Sequence, residues 1–421
     1  MPKSIEQVAR GAREASRIIA DSAGALRADV IRDLAHRIEA RQGDILVANQ
    51  RDVEAACAAD LPTAKLQRLA LSPEKLRRMR QGLVQIAELP DPVGAVTRAQ
   101  ELPSGLYVER VRTPLGVIAM IYEARPGVTI DAFALCFKAG NTCILKGGRE
   151  AACSNMLLAS LIHESLEAHD LPSAAMTCIT TADRDELKQL LRLKEDIDLV
   201  IPRGGESLIQ FVCTHSQIPT VQHFKGVCHA YVDRNVDVDQ AIEIVASSKT
   251  SAPATCNALE CVLVHEEVAP EFFPRLVQRA SADGIVIRAD ETLRTVAPIA
   301  SCLEPATSAD WGCEYLDLTL AAKAVGSMEE AIAHIDRFGS NHTEAILTTD
   351  EAAAAAFRRR VKSSCVLSNA STRFNDGFQL GLGAEIGIST SRIHAYGPMG
   401  LESLTIERFV VRGSGQAAPQ G

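Results

Sequence analysis

The chain lacks any hydrophobic run that is long enough to cross a membrane. One of its longest apolar runs is VIAMIY at Val117–Tyr122, whereas a spanning helix needs about 20 apolar residues. The N-terminal sequence MPKSIEQVARGAREASR has no apolar core of a secretory signal. The net charge of −9 lacks the positive excess that nucleic-acid or anionic-membrane surfaces require. We therefore expect a cytoplasmic protein that binds neither nucleic acid nor membranes.

Metal-type and disulfide-type cysteine spacings are also lacking. The chain has 12 cysteines, but none of them forms a C-x-x-C pair. Several stand in apolar stretches, such as Cys136 and Cys143. This pattern is typical of reduced thiols that pack in a core, and it predicts no metal site.

The chain is long enough, and contains enough hydrophobic residues, to form two domains. The 421 residues, 47% of them hydrophobic, exceed the roughly 250–300 residues at which single cores stop growing. The first 90 residues have helical spacing, and strands and helices alternate from Gly116 onward. This alternation predicts an α/β fold with parallel sheets covered by helices. The segments Leu102–Arg112 and Leu404–Gly413 instead carry charges on both faces, which predicts an exposed ribbon or a ribbon that pairs with another subunit.

Two glycine-containing turns follow predicted strands and precede predicted helices. They are Lys146-Gly147-Gly148 and Arg203-Gly204-Gly205, the second followed by Ser207. Backbone N–H groups in such turns suit phosphate groups, and the neighbouring cation adds to the attraction. Neither turn matches G-x-G-x-x-G, so an ordinary strand–helix turn remains the alternative interpretation.

One cysteine stands in a different setting from the others. Cys256 lies in SAPATCNALECVLVH at 251–265, in a loop of small residues just before an apolar strand. A catalytic thiol needs exposure and local dipoles, which such a loop can provide. A packing cysteine is the alternative interpretation.

Five segments of the sequence carry a resemblance to one family. They are YEARPGVTIDAFALCFKAGNTCILKGGREA at 122–151, KGVCHAYVD at 225–233, PATCNALECVLVH at 253–265, HIDRFGSNHTEAI at 334–346 and GLGAEIGISTSRIHAYGPMGLESLT at 381–405. They occur in order over nearly the whole chain. The sequence resembles the gamma-glutamyl phosphate reductases of the aldehyde dehydrogenase superfamily.

The resemblance implies an aldehyde dehydrogenase-like fold of two three-layer α/β/α domains with parallel sheets and a small oligomerisation β-ribbon. We place the NADP-binding domain at 1–101 and 113–234, the catalytic domain at 235–390, and the ribbon with the C-terminal strand at 102–112 and 391–415. The implied activity is NADPH-dependent reduction of L-glutamate 5-phosphate to L-glutamate 5-semialdehyde, the second step of proline biosynthesis. A homodimer or homotetramer is also implied, with glutamate 5-kinase as a candidate partner for channelling.

The same resemblance assigns catalytic roles. Cys256 matches the nucleophile that forms a thioacyl-enzyme, and Asn257 directly after it is a further candidate catalytic residue. Arg125 falls near the position of the superfamily's asparagine oxyanion donor. Because a guanidinium suits both groups, we expect Arg125 to contact phosphate or the oxyanion. A structural salt bridge with Glu123 is the alternative.

Cofactor contacts are implied at two places. Lys146 matches the lysine that meets the adenosine ribose, and Arg149 beside it favours a 2′-phosphate and hence NADP. Glu314 resembles the glutamate that binds the nicotinamide ribose, with a solvated loop carboxylate as the alternative. The remaining candidate cofactor residues are Gly147, Gly204, Gly205 and Ser207.

Substrate contacts are the least defined part of the site. Hydrolytic aldehyde dehydrogenases carry a glutamate base where this chain has His223-Phe224-Lys225-Gly226. The missing carboxylate favours attack on the thioester by phosphate over attack by water. His223 and Lys225 are candidate substrate contacts, and so are His342 and Thr343, whose alternative role is loop structure.

Two other functions fit parts of the pattern. A CoA-acylating or hydrolytic aldehyde dehydrogenase differs only in what attacks the thioester, and the missing glutamate disfavours the hydrolytic form. A scaffold that kept the fold and lost activity is the non-enzyme alternative. The joint presence of Cys256, Lys146 and Glu314 weighs against the scaffold.

Overall fold

The computed structural model describes residues 4–180, 183–222, 225–297 and 299–417, and the chain divides into two compact units. The first unit comprises Met1–Gln222, Leu382–Gly387 and Met399–Gly421. The second comprises His223–Gly381 and Ile388–Pro398. No helix within the described ranges is long and apolar enough to cross a membrane.

The first unit begins with a helical segment and continues into alternating strands and helices. Its elements up to residue 215 are α1 (Ile5–Asp21), α2 (Gly24–Ala40), α3 (Gln42–Ala58), α4 (Thr63–Leu69), α5 (Pro73–Glu88), β1 (Val96–Glu101), β2 (Tyr107–Pro114), β3 (Val117–Tyr122), α6 (Gly127–Lys138), β4 (Thr142–Lys146), α7 (Ala152–Glu167), β5 (Met176–Ile179), α8 (Arg184–Leu190), β6 (Leu199–Arg203) and α9 (Glu206–His215).

The helix starts follow from local sequence signals. Ser4 caps α1 in a capping box with Gln7, and Ser72 caps α5 by accepting a hydrogen bond from the Lys75 N–H. Pro73 occupies the first position of α5, where its missing N–H costs nothing. The apolar residues of α5 recur at helical spacing and are buried, so this helix packs through one apolar face.

A four-stranded parallel sheet in the order β5-β4-β3-β6 forms the centre of the first unit. The central strand β3 is buried along its whole length. One face packs on α1, α8 and α9, and α6 and α7 cover the other face. Continuous apolar strands are expected in a sheet that is covered on both faces.

The two charge-bearing segments pair with each other inside the chain. A third strand, β1, joins them, and this strand was not predicted from the sequence. The antiparallel sheet has the order β1-β2-β16, where β16 is Thr405–Arg412. The predicted strand at 102–112 starts only at Tyr107, because Leu102–Leu106 forms a turn in which Gly105 has a φ of +79°. The main-chain groups of β2 therefore bond within the chain rather than to another subunit.

The second unit contains the larger sheet. Its elements are β7 (Cys228–Val232), α10 (Val238–Thr250), β8 (Leu259–His265), α11 (Ala269–Asp283), β9 (Val286–Ala289), α12 (Glu291–Val296), β10 (Leu303–Pro305), β11 (Thr319–Val325), α13 (Met328–Phe338), β12 (Thr343–Leu347), α14 (Glu351–Arg360) and β13 (Cys365–Ser368). The chain then passes through β14 (Gly387–Ser389) and β15 (Gly397–Met399) to β16.

The seven strands of this sheet run parallel in the order β10-β9-β11-β8-β7-β12-β13. One apolar cluster joins one sheet face to α10, α11 and α12, and a second joins the other face to α13 and α14. The domain boundary was expected at residue 234. In the structure, β7 already pairs with β8 and β12, so it belongs to the second unit.

Candidate active site

Three turns of the first unit meet at the carboxyl ends of β4, β3 and β6. The Ala124 N–H donates to Glu150 Oε1 at 2.6 Å, which joins the turn after β3 to the turn after β4. The Gly205 N–H donates to Glu123 Oε2 at 3.1 Å, which joins the turn after β6 to the turn after β3. The glycine turns singled out from the sequence are therefore neighbours at one edge of the sheet.

This edge contains the point at which the strand order reverses. β4 lies on one side of β3, and β6 lies on the other. In open α/β sheets, ligands bind outside the carboxyl ends of the strands at such a reversal. Gly204, Gly205 and Ser207 are exposed there, and Gly205 caps α9 without a side-chain hydrogen bond. The first-turn N–H groups of α9 are thus placed as donors for an anionic group.

Lys146 ends β4 beside the same edge. Its ammonium lies 3.3 Å from the Gly147 carbonyl oxygen, and burial lowers the pKa of Lys146 against the opposing pull of Glu150. A Cβ on Gly147 would lie 2.2 Å from Asn155 Nδ2, so close packing against α7 requires glycine at this position. Arg149 is exposed at the start of the following helical turn. These residues fit the phosphate-bearing half of a dinucleotide.

Arg125 lies on the turn between β3 and α6 and is half-buried. Ala124 before it has a φ of +32°, and Pro126 after it caps α6. The Val128 N–H donates to the Arg125 carbonyl at 3.0 Å. Glu123, the alternative partner of Arg125, accepts the hydrogen bond from Gly205 described above. The backbone on both sides of Arg125 is therefore fixed.

In the second unit, Cys256 lies half-buried on the loop between α10 and β8. Its carbonyl group packs against Gly226, where a Cβ would lie 1.9 Å from the carbonyl oxygen. The Cys228 thiol donates to the same oxygen at 3.2 Å. Glu314 accepts a hydrogen bond from the Gly226 N–H at 2.8 Å. The segment before β7 and the Glu314 loop thus fix the backbone at Cys256.

Asn257 is buried, and its side chain is used to hold the loop. Its amide donates to the carbonyl groups of Asn375, at 3.0 Å, and Arg373, at 3.4 Å. Its Oδ1 accepts from the Arg373 guanidinium and lies 2.9 Å from the Thr255 hydroxyl. These contacts show that the Asn257 side chain holds the Cys256 loop, and its predicted catalytic role stays a prediction.

His342 and Thr343 are fully buried behind the Cys256 loop. His342 Nδ1 lies 2.7 Å from the Thr343 hydroxyl and 3.7 Å from Cys228 Sγ. Asn375 donates to the Thr343 hydroxyl at 2.7 Å. Of the two roles that the sequence analysis left open, this geometry supports loop structure over substrate contact.

The structure thus brings the predicted residues together in two groups, one in each unit. Lys225 is half-buried and belongs to the second group through its neighbour Gly226. His223 lies outside the described residues. The first group consists of Arg125, Lys146, Gly147, Arg149, Gly204, Gly205 and Ser207, and the second of Cys256, Asn257, Lys225, Glu314, His342 and Thr343.

Several contributors to the second group were not foreseen. Besides Cys228 and Arg373, Lys249 and Glu260 form a 2.7 Å ion pair that is fully buried. Burial raises the pKa of Glu260 to about 7, against the opposing effect of Lys249. The sequence did contain a signal for this pair, because a glutamate inside the apolar run Leu259–His265 demands a buried partner.

Comparison with known proteins places these features in a family. The family model described as the aldehyde dehydrogenase family matches residues 2–301. A gamma-glutamyl phosphate reductase from Xylella fastidiosa (strain M23) is 48% identical over 412 residues, which cover 98% of this chain and 96% of that protein. One from Meiothermus ruber is also 48% identical, with 98% of each chain covered.

The fold comparison agrees. The crystal structure of a gamma-glutamyl phosphate reductase from Thermotoga maritima matches with a TM-score of 0.95 at 38% identity, covering 99% of this chain and 100% of that chain. The predicted resemblance, the aldehyde dehydrogenase-like α/β fold and its nicotinamide nucleotide-binding character are confirmed. The chain therefore belongs to the gamma-glutamyl phosphate reductases, a family of oxidoreductases within the aldehyde dehydrogenase superfamily.

Proposed function

We propose that this chain catalyses the NADPH-dependent reduction of L-glutamate 5-phosphate to L-glutamate 5-semialdehyde, with release of phosphate, as the second step of proline biosynthesis. The observation that supports it most directly is the fixed backbone of Cys256, whose carbonyl packs against Gly226 and accepts a hydrogen bond from the Cys228 thiol. A nucleophile needs such fixed placement, because misplacement by 1 Å can cost about 100-fold in rate.

In the proposed mechanism, the Cys256 thiolate attacks the acyl carbon of the substrate. A carbon–sulfur bond forms and the bond from carbon to the phosphate oxygen breaks, so phosphate leaves with its electron pair and no proton is required. The product is a thioester between Cys256 and the glutamyl group. The nicotinamide cofactor supplies a hydride to this thioester when it is bound. The thiohemiacetal formed in this way releases the aldehyde by breaking the carbon–sulfur bond, which restores the thiolate. Splitting the reaction in this way is the general advantage of covalent catalysis.

Water must not reach the thioester in this scheme. Lys225 and Gly226 occupy the segment where hydrolytic relatives carry a glutamate base. The Glu314 carboxylate is engaged by the Gly226 N–H. We propose that this arrangement leaves the thioester to phosphate in the reverse direction.

The reverse reaction tests this function against its alternatives. Purified protein is mixed with L-glutamate 5-semialdehyde and NADP, and NADPH formation is followed with and without phosphate. We expect formation that depends on phosphate. Equal rates without phosphate indicate a hydrolytic enzyme, dependence on CoA indicates a CoA-acylating enzyme, and no turnover with intact cofactor binding indicates a scaffold.

The cofactor preference is proposed to be NADPH over NADH, with Lys146 and Arg149 meeting the 2′-phosphate. We expect the ratio of kcat/KM for the two cofactors to exceed one. In Lys146→Met this ratio should fall roughly 10-fold, because a charge-assisted hydrogen bond is lost. A ratio at or below one in the unmodified chain would contradict the proposal.

Arg125 is proposed to contact the phosphate or the oxyanion. Arg125→Lys keeps the charge but loses the planar fork that matches phosphate oxygens. We expect kcat/KM to fall roughly 10- to 1000-fold, and the KM for phosphate in the reverse reaction to rise. Arg192→Lys, at an exposed arginine of the same unit, is the matched control. If phosphate KM and turnover are both unchanged, Arg125 is structural.

We propose that the chain forms at least a homodimer through the sheet β1-β2-β16. Its edge strands expose Val96, Ile406, Phe409 and Val411, and edge strands offer unpaired main-chain groups. Light scattering at micromolar concentration should give at least twice the chain mass. Phe409→Glu should lower it, whereas Val47→Glu, at an exposed apolar residue of α3, should not. A monomeric parent chain would contradict the proposal.

The proposed function also includes a cellular compartment and a partner enzyme. None of the twelve cysteines, all of which lie within the described residues, forms a disulfide bond, which supports a reducing, cytoplasmic compartment. The acyl phosphate substrate comes from a kinase reaction, so glutamate 5-kinase is the proposed partner for channelling.

A further inference from the structure

A cluster of metal-type side chains lies in the second unit, apart from the residues assigned to catalysis above. It consists of His229 on β7, Cys261 on β8 and His334 on α13. Each residue offers one ligand atom, and the three atoms lie within 4.8 Å of one another. All three side chains are buried, and Cys261 Sγ lies 4.0 Å from His334 Nε2. Their separation of 32 and 73 residues along the chain explains why no metal-type spacing is visible in the sequence.

The imidazole of His229 is oriented as a ligand. Its Nδ1 lies 3.0 Å from Glu344 Oε2, which also accepts from the His229 N–H at 2.9 Å. Ser363 donates to the other oxygen of Glu344 at 3.0 Å. The carboxylate therefore holds the proton on Nδ1 and leaves the Nε2 lone pair for another partner.

That other partner is missing among the described residues. His229 Nε2 is fully buried without a hydrogen bond. Most buried polar atoms in proteins have a hydrogen-bond partner. A buried nitrogen without one therefore suggests that a bound ion takes the partner's place. A carboxylate on one imidazole nitrogen and a metal on the other is the usual second-shell arrangement of metal-binding histidines.

The donor set selects the class of ion. Two imidazoles and one thiolate suit borderline-soft ions such as Zn²⁺, whereas Mg²⁺ and Ca²⁺ prefer oxygen ligands. Zinc bonds are about 2.3 Å to sulfur and about 2.0–2.1 Å to nitrogen, so the ligand atoms would need to close by roughly 0.5–1.5 Å.

An S–H···N contact between Cys261 and His334 is the simplest alternative account of the cluster. It explains the 4.0 Å separation but leaves His229 Nε2 unsatisfied. A metal ion satisfies all three ligand atoms at once. His334 lies next to the half-buried rings of Trp311 and Phe338.

We propose that His229, Cys261 and His334 bind one transition-metal ion of the Zn²⁺ class. On binding, the Cys261 thiol proton is replaced by the metal and passes to solvent. The ion links β7, β8 and α13. Because Cys228, next to His229, bonds the Cys256 carbonyl, the ion stabilises the strand that fixes the Cys256 loop.

The test uses Co²⁺ as a spectroscopic probe on the full chain carrying Cys256→Ser, which removes the catalytic thiol. We expect a near-ultraviolet thiolate-to-cobalt band that saturates at one equivalent and is displaced by Zn²⁺. Zn²⁺ at about 100 times its Kd should raise Tm by roughly 5–10 °C. Absence of a saturable thiolate band would overturn the proposal.

Variants then assign the band to the cluster. Cys261→Ala should abolish it, whereas Cys143→Ala, at a buried cysteine of the other unit, should leave it intact. Glu344→Gln should weaken Co²⁺ binding roughly 10- to 100-fold through the orientation of His229. Retention of the band in Cys261→Ala would mean that another thiol binds the probe, and the site would be refuted. If Cys261→Ala fails to fold, His334→Gln decides: unchanged Co²⁺ affinity refutes the site, and a loss of about 100-fold or more supports it.

Discussion

Replacing Cys256 by serine is expected to lower turnover by roughly 10⁴-fold or more, with little change in stability. Serine is a far weaker nucleophile, because its hydroxyl does not ionise near neutral pH. The described contacts that fix the loop use the Cys256 carbonyl and the neighbouring Asn257 side chain, and both remain in the variant. The measurement is kcat in the reverse reaction, together with Tm and cofactor affinity.

The matched control is Cys302→Ser, which changes a half-buried cysteine of the same unit whose Sγ lies 3.8 Å from the Val277 carbonyl. It should retain nearly full activity. A Cys256→Ser protein with near-normal turnover would remove this thiol from the mechanism. A Cys256→Ser protein that is inactive because it has unfolded would instead assign the residue to stability.

The sequence predicted best those helices and strands whose pattern of apolar residues indicates which side chains are buried. The strand Thr319–Val325 coincides with a largely apolar run of the sequence, and the helix Gly127–Lys138 ends just before Gly140. The bounds of both elements follow from a continuous run of apolar residues and from the glycine after the run. The short strand β1, with the sequence VTRAQE, is exposed along its whole length. Its pairing depends on the partner strand rather than on its own pattern, and so it was missed.

The same distinction applies to the candidate site. The composition of its loop pointed to Cys256, and strand–turn–helix order pointed to Lys146 and Gly204. The loop-holding contacts of Asn257 were not foreseen, because its hydrogen bonds to Arg373 and Asn375 join it to a segment more than 110 residues away. Contacts of this kind arise only from tertiary packing.

Gly226 is the clearest example of such a packing contact, and it carries the second large prediction. A Cβ at this position would lie 1.9 Å from the Cys256 carbonyl oxygen and 2.7 Å from its Cα. These are main-chain atoms, so the contact cannot be relieved by rotating a side chain. Gly226→Ala must move the Cys256 loop, the segment before β7, or both, by more than 1 Å to restore ordinary van der Waals contact.

We expect Gly226→Ala to lower kcat by about 10³-fold, because a 1 Å misplacement of reacting groups can already cost about 100-fold. The shift also strains the hydrogen bonds from the Gly226 N–H to Glu314 and from Cys228 to the Cys256 carbonyl. Stability should fall as well, by about 1–3 kcal/mol, in the range of overpacked buried sites. The measurements are kcat, Tm and the rate at which iodoacetamide modifies Cys256.

Gly326→Ala is the matched control, since the nearest atom to a Cβ there is the Glu330 carboxylate at 3.7 Å. It should retain activity and stability, which shows that the loss in Gly226→Ala is not a general effect of adding a methyl group. A Gly226→Ala protein with unchanged kcat would mean that the Cys256 loop tolerates the shift. The fixed backbone would then no longer support the proposed role of Cys256, and the inactivity of Cys256→Ser would have to support that role alone.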